Sequence, residues 1–176
     1  MSSPAAMIVF STVTGNAYKL ACAAAEGLRE YIGPYNIRYI TPEHIAEYDT
    51  FILCYWCNRG TADDDTISLI RRLQGKRLIL VGSLGVPITS PHARQVMERV
   101  AALGSENNLL LGQYLCQGAI DLKRTAKKLL LPEGQRGHMT QERFERQKLS
   151  QGHPDSEELL ACTQAVRRLL EPRHAE

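Results

Sequence analysis

The stretch that decides the fold is AMIVFSTVTGNAYKLACAAAEGLREY, residues 6–31. Residues 6–11 form an apolar run that favours a strand, and the run stops at a cluster of threonine, glycine and asparagine. Apolar residues then recur at helical spacing over residues 17–31, before a strong stop signal at Gly33-Pro34. The sequence therefore predicts a strand, a short loop and a helix at the start of the chain.

The same alternation of strand and helix continues to the end of the sequence. Apolar runs predict strands at residues 36–40, 50–55, 77–83 and 109–116. Helices are predicted after Asp63-Asp64-Asp65, which suits the positive end of a helix dipole, and at residues 90–103 and 157–170. Such alternation implies a mostly parallel five-stranded sheet with helices on both faces. We expect one α/β domain over residues 1–176.

Bulk composition excludes several classes of protein. The chain has 176 residues, of which 44% are hydrophobic and 23% charged, as in ordinary globular domains. No apolar run approaches the roughly 20 residues that cross a bilayer, and the start lacks the pattern of a signal peptide. Five cysteines, an odd number, argue against a disulfide framework and fit a reducing compartment. We expect a cytoplasmic protein without a membrane or nucleic-acid partner.

The charge is unevenly distributed, although the net charge is only +2. Residues 123–148 hold eight basic and three acidic side chains, a net of +5, so the remainder carries −3. This basic excursion spans about residues 123–152, and its second half, TQERFERQKLSQ, is compatible with a solvated helix. It could be a plain solvated face, contact an acidic protein or nucleic acid, border a ligand site or dock a partner protein. Phe144 and His138 are its only rings, too few for a platform that stacks nucleic-acid bases.

The loop that follows the first predicted strand could bind a phosphate. Hydroxyls of Ser11, Thr12 and Thr14 and the free amides at the start of the helix can donate to phosphate oxygens. Gly15 allows close approach of the backbone or a positive φ. An ordinary turn between strand and helix has a similar composition, so the loop alone leaves both readings open.

Two further loops should meet the first, because ligands bind beyond the carboxyl ends of parallel strands. Trp56, the only tryptophan, lies in the loop expected after Tyr55, where it could stack on a flat ring or plug the end of the core. Arg59 could be solvated or could stabilise an anionic ligand. The third loop, residues 82–87, has two glycines that allow backbone amides to approach a ligand.

These motifs resemble the flavodoxin family. The residues that carry the resemblance are IVFSTVTGN at 8–16, WCNRGTAD at 56–63, GSLG at 82–85, CQG at 116–118 and HP at 153–154. They are similar to an atypical branch from anaerobic bacteria, some members of which act beside a reductase of bile pigments. The resemblance implies a three-layer α/β/α fold with strand order 2-1-3-4-5, bound FMN, and electron transfer to a partner reductase by a monomer or weak homodimer.

The expected FMN-binding residues are Ser11, Thr12, Val13, Thr14, Gly15, Asn16, Ala17, Tyr55, Trp56, Cys57, Asn58, Arg59, Gly60, Ser83, Leu84 and Gly85. Three features depart from the family pattern. Ala17 replaces a threonine and removes a hydroxyl donor; the loop after Ser83 has no tyrosine or tryptophan, His92 being its nearest ring; and the chain is near neutral where typical flavodoxins are acidic.

Other chemistry has weaker support. Cys54 and Cys57 have the C-x-x-C spacing of a dithiol, but Cys54 falls within an apolar strand. No second Cys/His pair completes a zinc site, and the five histidines are scattered. We therefore expect an electron carrier with no catalytic residue and no metal of its own. The alternatives are a flavin-dependent reductase of a small substrate and a flavin-free interaction module.

Overall fold

The computed structural model of the protein describes residues 5–171, which form a parallel sheet between two layers of helices. Its strands are β1 (Ala6–Phe10), β2 (Tyr31–Asn36), β3 (Thr50–Asn58), β4 (Thr61–Ala62), β5 (Arg77–Leu84) and β6 (Leu109–Gln117). The order is β2-β1-β3-β5-β6, and the two-residue β4 pairs antiparallel with β3. Without β4, this is the predicted parallel order 2-1-3-4-5, so the predicted fold class is confirmed.

Seven α-helices connect or flank these strands in residues 5–171. They are α1 (Asn16–Glu26), α2 (Pro42–Glu47), α3 (Asp64–Arg72), α4 (Pro91–Ser105), α5 (Leu122–Ala126), α6 (Gln141–Lys148) and α7 (Ser156–Leu170). Short 3-10 turns follow β2 at Ile37–Tyr39 and α5 at Lys127–Leu130. Among these helices, none is long and apolar enough to span a bilayer.

The hydrophobic core lies on both faces of the sheet, because successive side chains of a strand point to opposite faces. On one face, Ile8, Ile52 and Ile79 pack against α1 and α7. On the other, Phe51 and Leu78 belong to the cluster that includes buried residues of α3 and α4. Burial on both faces explains why β3 and β5 are apolar without alternation.

The second strand and the end of the first helix differ from the sequence prediction. The strand is Tyr31–Asn36 and not residues 36–40, and Gly33-Pro34 lies inside it. Proline is tolerated there because β2 is an edge strand. A glycine is required at position 33 because its φ is 100° and an added Cβ would lie only 2.5 Å from the Ile8 oxygen. Helix α1 ends early, at Glu26, where Gly27 packs against the Thr163 oxygen of α7.

The basic excursion folds into α5, a 3-10 turn and α6 between β6 and α7. Hydrogen bonds join the far end of the excursion to Ile120, which lies just before its start. The Ser150 hydroxyl accepts the Ile120 amide at 2.9 Å, and Gln151 Nε2 donates to the Ile120 oxygen at 3.0 Å. Ser150 is fully buried, so the two ends of the excursion are held together beside β6.

Candidate functional site

The loop from β1 to α1 opens at the carboxyl edge of the sheet, and the start of α1 has no side-chain cap. Its N-cap is Gly15, with a φ of 91°. By contrast, the other six α-helices in residues 5–171 each begin at a residue whose side chain accepts a backbone amide. The first amides of α1, with the positive end of its dipole, therefore remain available to an external acceptor.

Within this loop, hydrogen bonds fix the backbone around the exposed Val13 and Thr14. The Gly15 amide donates to Thr12 Oγ1 at 2.9 Å. Asn16 Nδ2 donates to Thr14 Oγ1 at 3.1 Å and to the Ala119 oxygen at 2.9 Å, so the loop is joined to the segment after β6. Ala17, in the first turn of α1, is fully buried and belongs to the core cluster between α1, α7 and the sheet.

The Ser11 hydroxyl serves a different part of the structure. Ser11 is buried and donates to the Asp63 carboxyl group at 2.7 Å. Asp63 also accepts the Thr66 amide at 3.1 Å and the Thr66 hydroxyl at 2.8 Å, and it is thereby the N-cap of α3. A hydroxyl expected to donate to phosphate is thus used to hold β1 against α3.

The predicted loop after Tyr55 is instead a β-hairpin. Strand β3 continues through Asn58, and Asn58 pairs with Thr61 across a two-residue turn. The turn residues Arg59 and Gly60 have φ values of 51° and 82°, as in a type I′ turn. Arg99 donates to the Gly60 oxygen at 3.1 Å, and Arg59 is exposed at the tip.

Because this segment is a strand, its aromatic residues face opposite sides of the sheet. Tyr55 is 1% exposed, and its ring packs in the core against Gly82. A Cβ added at Gly82 would clash with this ring. Trp56 is half-buried on the side of α1. Cys54 and Cys57 belong to clusters on opposite faces, so the C-x-x-C spacing does not bring the two thiols together.

A cleft of about 380 Å³ lies between these elements at the sheet edge. We call it the basic cleft. From the predicted site it is lined by Val13, Thr14, Asn16, Trp56, Cys57, Asn58, Ser83, Leu84 and Gly85. Burial, with a smaller effect of Asp63, raises the pKa of the Cys57 thiol to about 12, so that this thiol is protonated at neutral pH.

The other wall of the basic cleft was not predicted from the sequence. This wall is formed by Gly118, Ala119, Ile120, Asp121, Arg124, Thr125 and Lys128. A Cβ at Gly118 would lie 2.7 Å from Asn16 Nδ2, so a glycine is needed for this close approach. The position of these residues after the last parallel strand was the available signal, together with the possibility that the basic excursion borders the ligand.

A second cleft, of about 340 Å³, lies on the opposite side of Trp56, and we call it the acidic cleft. It shares Val13, Trp56 and Asn58 with the basic cleft. Its remaining lining residues are Ser11, Thr12, Asn36, Ile37, Arg38, Asp63, Asp64 and Asp65. The predicted site is therefore divided between two clefts, while Gly15, Ala17, Tyr55, Arg59 and Gly60 line neither.

The cations of the basic cleft have no acidic partner within residues 5–171. The ion pairs found among residues 5–171 are Lys76–Asp49, Arg146–Glu142, Lys148–Glu145 and His153–Glu158. None of them involves Arg124 or Lys128. The one carboxyl group in the cleft wall, that of Asp121, accepts the Arg124 backbone amide at 3.1 Å and begins α5. Arg124 and Lys128 thus form no ion pair, and with Asp121 the wall of the cleft has a net charge of +1 beside the free amides of α1.

Similarity to known proteins gives the family of the chain. The family description "flavodoxin domain" matches residues 7–167. The chain belongs to the flavodoxin family. It is 23% identical over 168 residues to the flavodoxin-like domain-containing protein BilS of Clostridioides difficile strain CD3, covering 93% of this chain and 95% of that protein. The BilS protein of Clostridium symbiosum strain WAL-14163 is 27% identical over 127 residues, which are 63% of this chain and 66% of that one.

Solved structures share the fold at low sequence identity. An NAD(P)H:quinone oxidoreductase from Methanothermobacter marburgensis has a TM-score of 0.56 at 11% identity, covering 99% of this chain and 100% of that one. General stress protein 14 of Treponema denticola, solved in complex with FMN, has a TM-score of 0.53 at 10% identity, with 93% and 99% covered. At these identities the likeness concerns the fold alone.

Proposed function

We propose that this flavodoxin-family protein binds FMN in the basic cleft and carries electrons to a partner reductase. The observation that supports it most is the uncapped start of α1, which opens on a cleft walled by Trp56 and by two unpaired cations. Family membership and the FMN bound by a protein of the same fold support the choice of ligand.

The phosphate would be held by the loop from Thr12 to Asn16. The amides at the start of α1 and the Thr14 hydroxyl are neutral donors, and aligned amides attract an anion through the helix dipole. Arg124 and Lys128 add full positive charges on the opposite wall. The donor set therefore fits a dianionic phosphate, even though Ser11 and Ala17 contribute no hydroxyl to it.

The isoalloxazine ring would lie between Trp56 and the segment Ser83–Leu84–Gly85. Trp56 offers a flat face for stacking, and the amides beside Gly85 can approach the polar edge of a ring. When bound, FMN supplies the uptake and release of electrons. The chain's own residues position it, exclude water from one face and surround it with positive charge.

A second candidate function is a flavin-dependent reductase of a small substrate. It is favoured by the absence of an aromatic side chain after Ser83, where Leu84 and Gly85 line the basic cleft. Steady consumption of NAD(P)H with a quinone or dye, without a second protein, would support the reductase. A carrier instead turns over only when a partner protein is added.

Titration with FMN tests the proposal. We expect the protein to quench FMN fluorescence, to shift its absorption in the blue, and to bleach on addition of dithionite. A matched pair of variants locates the phosphate: Thr14→Glu and Thr89→Glu each place a carboxylate one residue before a helix N-cap, at Gly15 and Ser90. Only Thr14 lines the basic cleft.

We expect Thr14→Glu to weaken FMN binding about 100-fold, because its carboxylate would lie close to the phosphate dianion. Thr89→Glu should bind as the parent does. Both carboxylates lie near the positive end of a helix dipole, which in Thr14→Glu offsets the loss of the Thr14 hydroxyl as acceptor of Asn16 Nδ2, so we expect little change in stability for either variant. A parent that takes up no FMN would leave a flavin-free interaction module as the function, and equal binding by both variants would place the phosphate elsewhere.

A further inference from the structure

We infer that an acidic surface of the partner protein docks on the basic excursion and inserts an apolar side chain in a groove beside the basic cleft. This inference rests on the proposed function and specifies the partner of the same site. It reverses the charge expected of an acidic flavodoxin, whose partners would have to be basic.

The groove has a volume of about 480 Å³ and adjoins the basic cleft, since Gly85 and Ile120 line both. Its floor and walls are largely apolar, with Val86, Pro87 and Leu149 among them. Leu149, the C-cap residue that follows α6, is 74% exposed, although its neighbour Ser150 is fully buried. A contiguous apolar surface with a polar rim, such as this groove, is typical of an interaction site.

The rim of this groove is positively charged. Arg143 and Arg146 line it from α6. Arg143 has no ion-pair partner within residues 5–171, and Arg146 has only a 3.6 Å contact with the exposed Glu142. On the far side of Gly85 and Ile120, Arg124 and Lys128 carry the same charge.

The extent of this surface favours a protein as the occupant. Uncompensated cations occur on both α5 and α6 and in the turn between them, across two adjoining depressions. Exposed Lys123 and Lys127 add to them outside the depressions. A small anion would neutralise one or two of these charges, whereas a surface with several carboxylates matches them all. Such complementarity accelerates association and orients the partner.

Two haem proteins of similar size and opposite charge serve as probes. Cytochrome b5 is acidic and cytochrome c is basic. FMN-loaded protein, reduced with one equivalent of dithionite, is mixed with either ferric protein in a stopped-flow instrument. Each haem iron gains one electron and becomes ferrous, and each reduced flavin gives up two electrons to two haems, with release of its protons to the buffer. The second-order rate is measured between low and high salt.

We expect the rate with cytochrome b5 to fall as salt is added, and the rate with cytochrome c to rise or stay level. Arg143→Glu should slow cytochrome b5 about fivefold at low salt and should not slow cytochrome c. This variant places glutamate three residues after the Thr140 N-cap, a favourable helix position. The control is Arg77→Glu, an exposed arginine at the start of β5, at the opposite edge of the sheet.

The apolar part is tested separately by Leu149→Ser, with Leu109→Ser as its control. Leu109 is 60% exposed at the start of β6, far from the groove. Leu149→Ser should lower the cytochrome b5 rate about threefold at high salt, where charge effects are screened, and Leu109→Ser should leave it unchanged.

The inference is overturned if cytochrome c is favoured at low salt, or if both variants of the groove match their controls. Lowering the salt could also accelerate flavin oxidation by ferricyanide as much as by cytochrome b5, with no effect of Leu149→Ser. That result would show a site for small anions and would also overturn the inference. FMN affinity is measured for every variant beforehand. Loss of FMN binding by the parent contradicts the proposed function, whereas normal FMN binding with no charge preference contradicts the docking surface alone.

Discussion

The two clefts on either side of Trp56 have nearly equal volumes, about 340 and 380 Å³, but opposite charge. The acidic cleft holds Asp63, Asp64 and Asp65 with Arg38, and the basic cleft holds Arg124 and Lys128 with Asp121. Asp63 of the acidic cleft is fully engaged in hydrogen bonds within the fold. The cations of the basic cleft have no partner in residues 5–171.

This difference separates groups that stabilise the fold from groups available to a ligand. A buried carboxyl group with three hydrogen-bond donors contributes to folding, and it leaves little capacity for an outside molecule. Unpaired cations beside free helix amides contribute little to folding but attract anions strongly. We therefore expect changes in the two clefts to have different consequences.

The largest effect should be on the reactivity of Cys57, which lines the basic cleft. Burial and the neighbouring Asp63 raise the pKa of this thiol to about 12. At pH 8 only about one molecule in 10,000 carries the thiolate, so iodoacetamide should react roughly 1,000-fold more slowly than in urea-unfolded protein. Mass spectrometry of Cys57-containing peptides gives the rate, which should rise about tenfold per pH unit below pH 11 while the protein stays folded.

Replacement of Asp63 should mainly affect stability. Asp63→Ala removes the cap of α3 and leaves the buried Ser11 hydroxyl without its acceptor. We expect the free energy of unfolding in urea to fall by about 3 kcal/mol, with FMN affinity within threefold of the parent while the protein is folded. Asp64→Ala, at an exposed position of the same cleft, is the control and should change it by less than about 0.5 kcal/mol. Unchanged stability with lost FMN affinity would reverse the roles of the two clefts.

The wall shared by the clefts gives the third test. Trp56→Ala should weaken FMN binding about tenfold through loss of stacking and buried apolar area, and Trp56→Phe should weaken it less. Because Trp56 is the only tryptophan, its fluorescence should also be quenched as FMN fills the basic cleft. An unquenched Trp56 at saturating FMN would show that the ring lies away from it.

The smallest effect should be on the midpoint potential of the bound flavin. Lys128→Gln removes a positive charge from the basic cleft and should lower the potential on the order of 40 mV, because the reduced flavin is more negatively charged than the oxidised one. Asp65→Asn removes an exposed charge beyond Trp56 and should raise it by less than about 10 mV. Equal and opposite shifts would mean that both clefts border the ring.

Much of the fold follows from local patterns. The apolar runs of β3 and β5 and the cap at Asp63 are visible in the sequence because burial on two faces and helix capping leave direct signals. The edge strand β2 was placed wrongly, since its Gly33-Pro34 pair is tolerated only where one side of a strand is unpaired. That depends on strand order, which a local window does not contain.

The candidate site was predictable in its location and less so in its members. Three loops at the carboxyl edge were identified from the topology rule. Tyr55 and Trp56 were both expected at the site because the strand was predicted to end at Tyr55. The strand continues through Asn58, so the two side chains point to opposite faces of the sheet. The wall from Gly118 to Lys128 follows a strand end, but its approach to Asn16 depends on contacts separated by about a hundred residues.

The hydrogen bonds of Ser150 and Gln151 to Ile120 have a consequence for how such a protein diversifies in evolution. Because Ser150 and Gln151 hold the two ends of the excursion together, we expect changes of length or charge in the intervening segment to leave the sheet in place. Because the same segment supplies Arg124 and Lys128, such a change would alter the charge of the basic cleft together with the surface that the excursion presents. Selection on either property would then change the other.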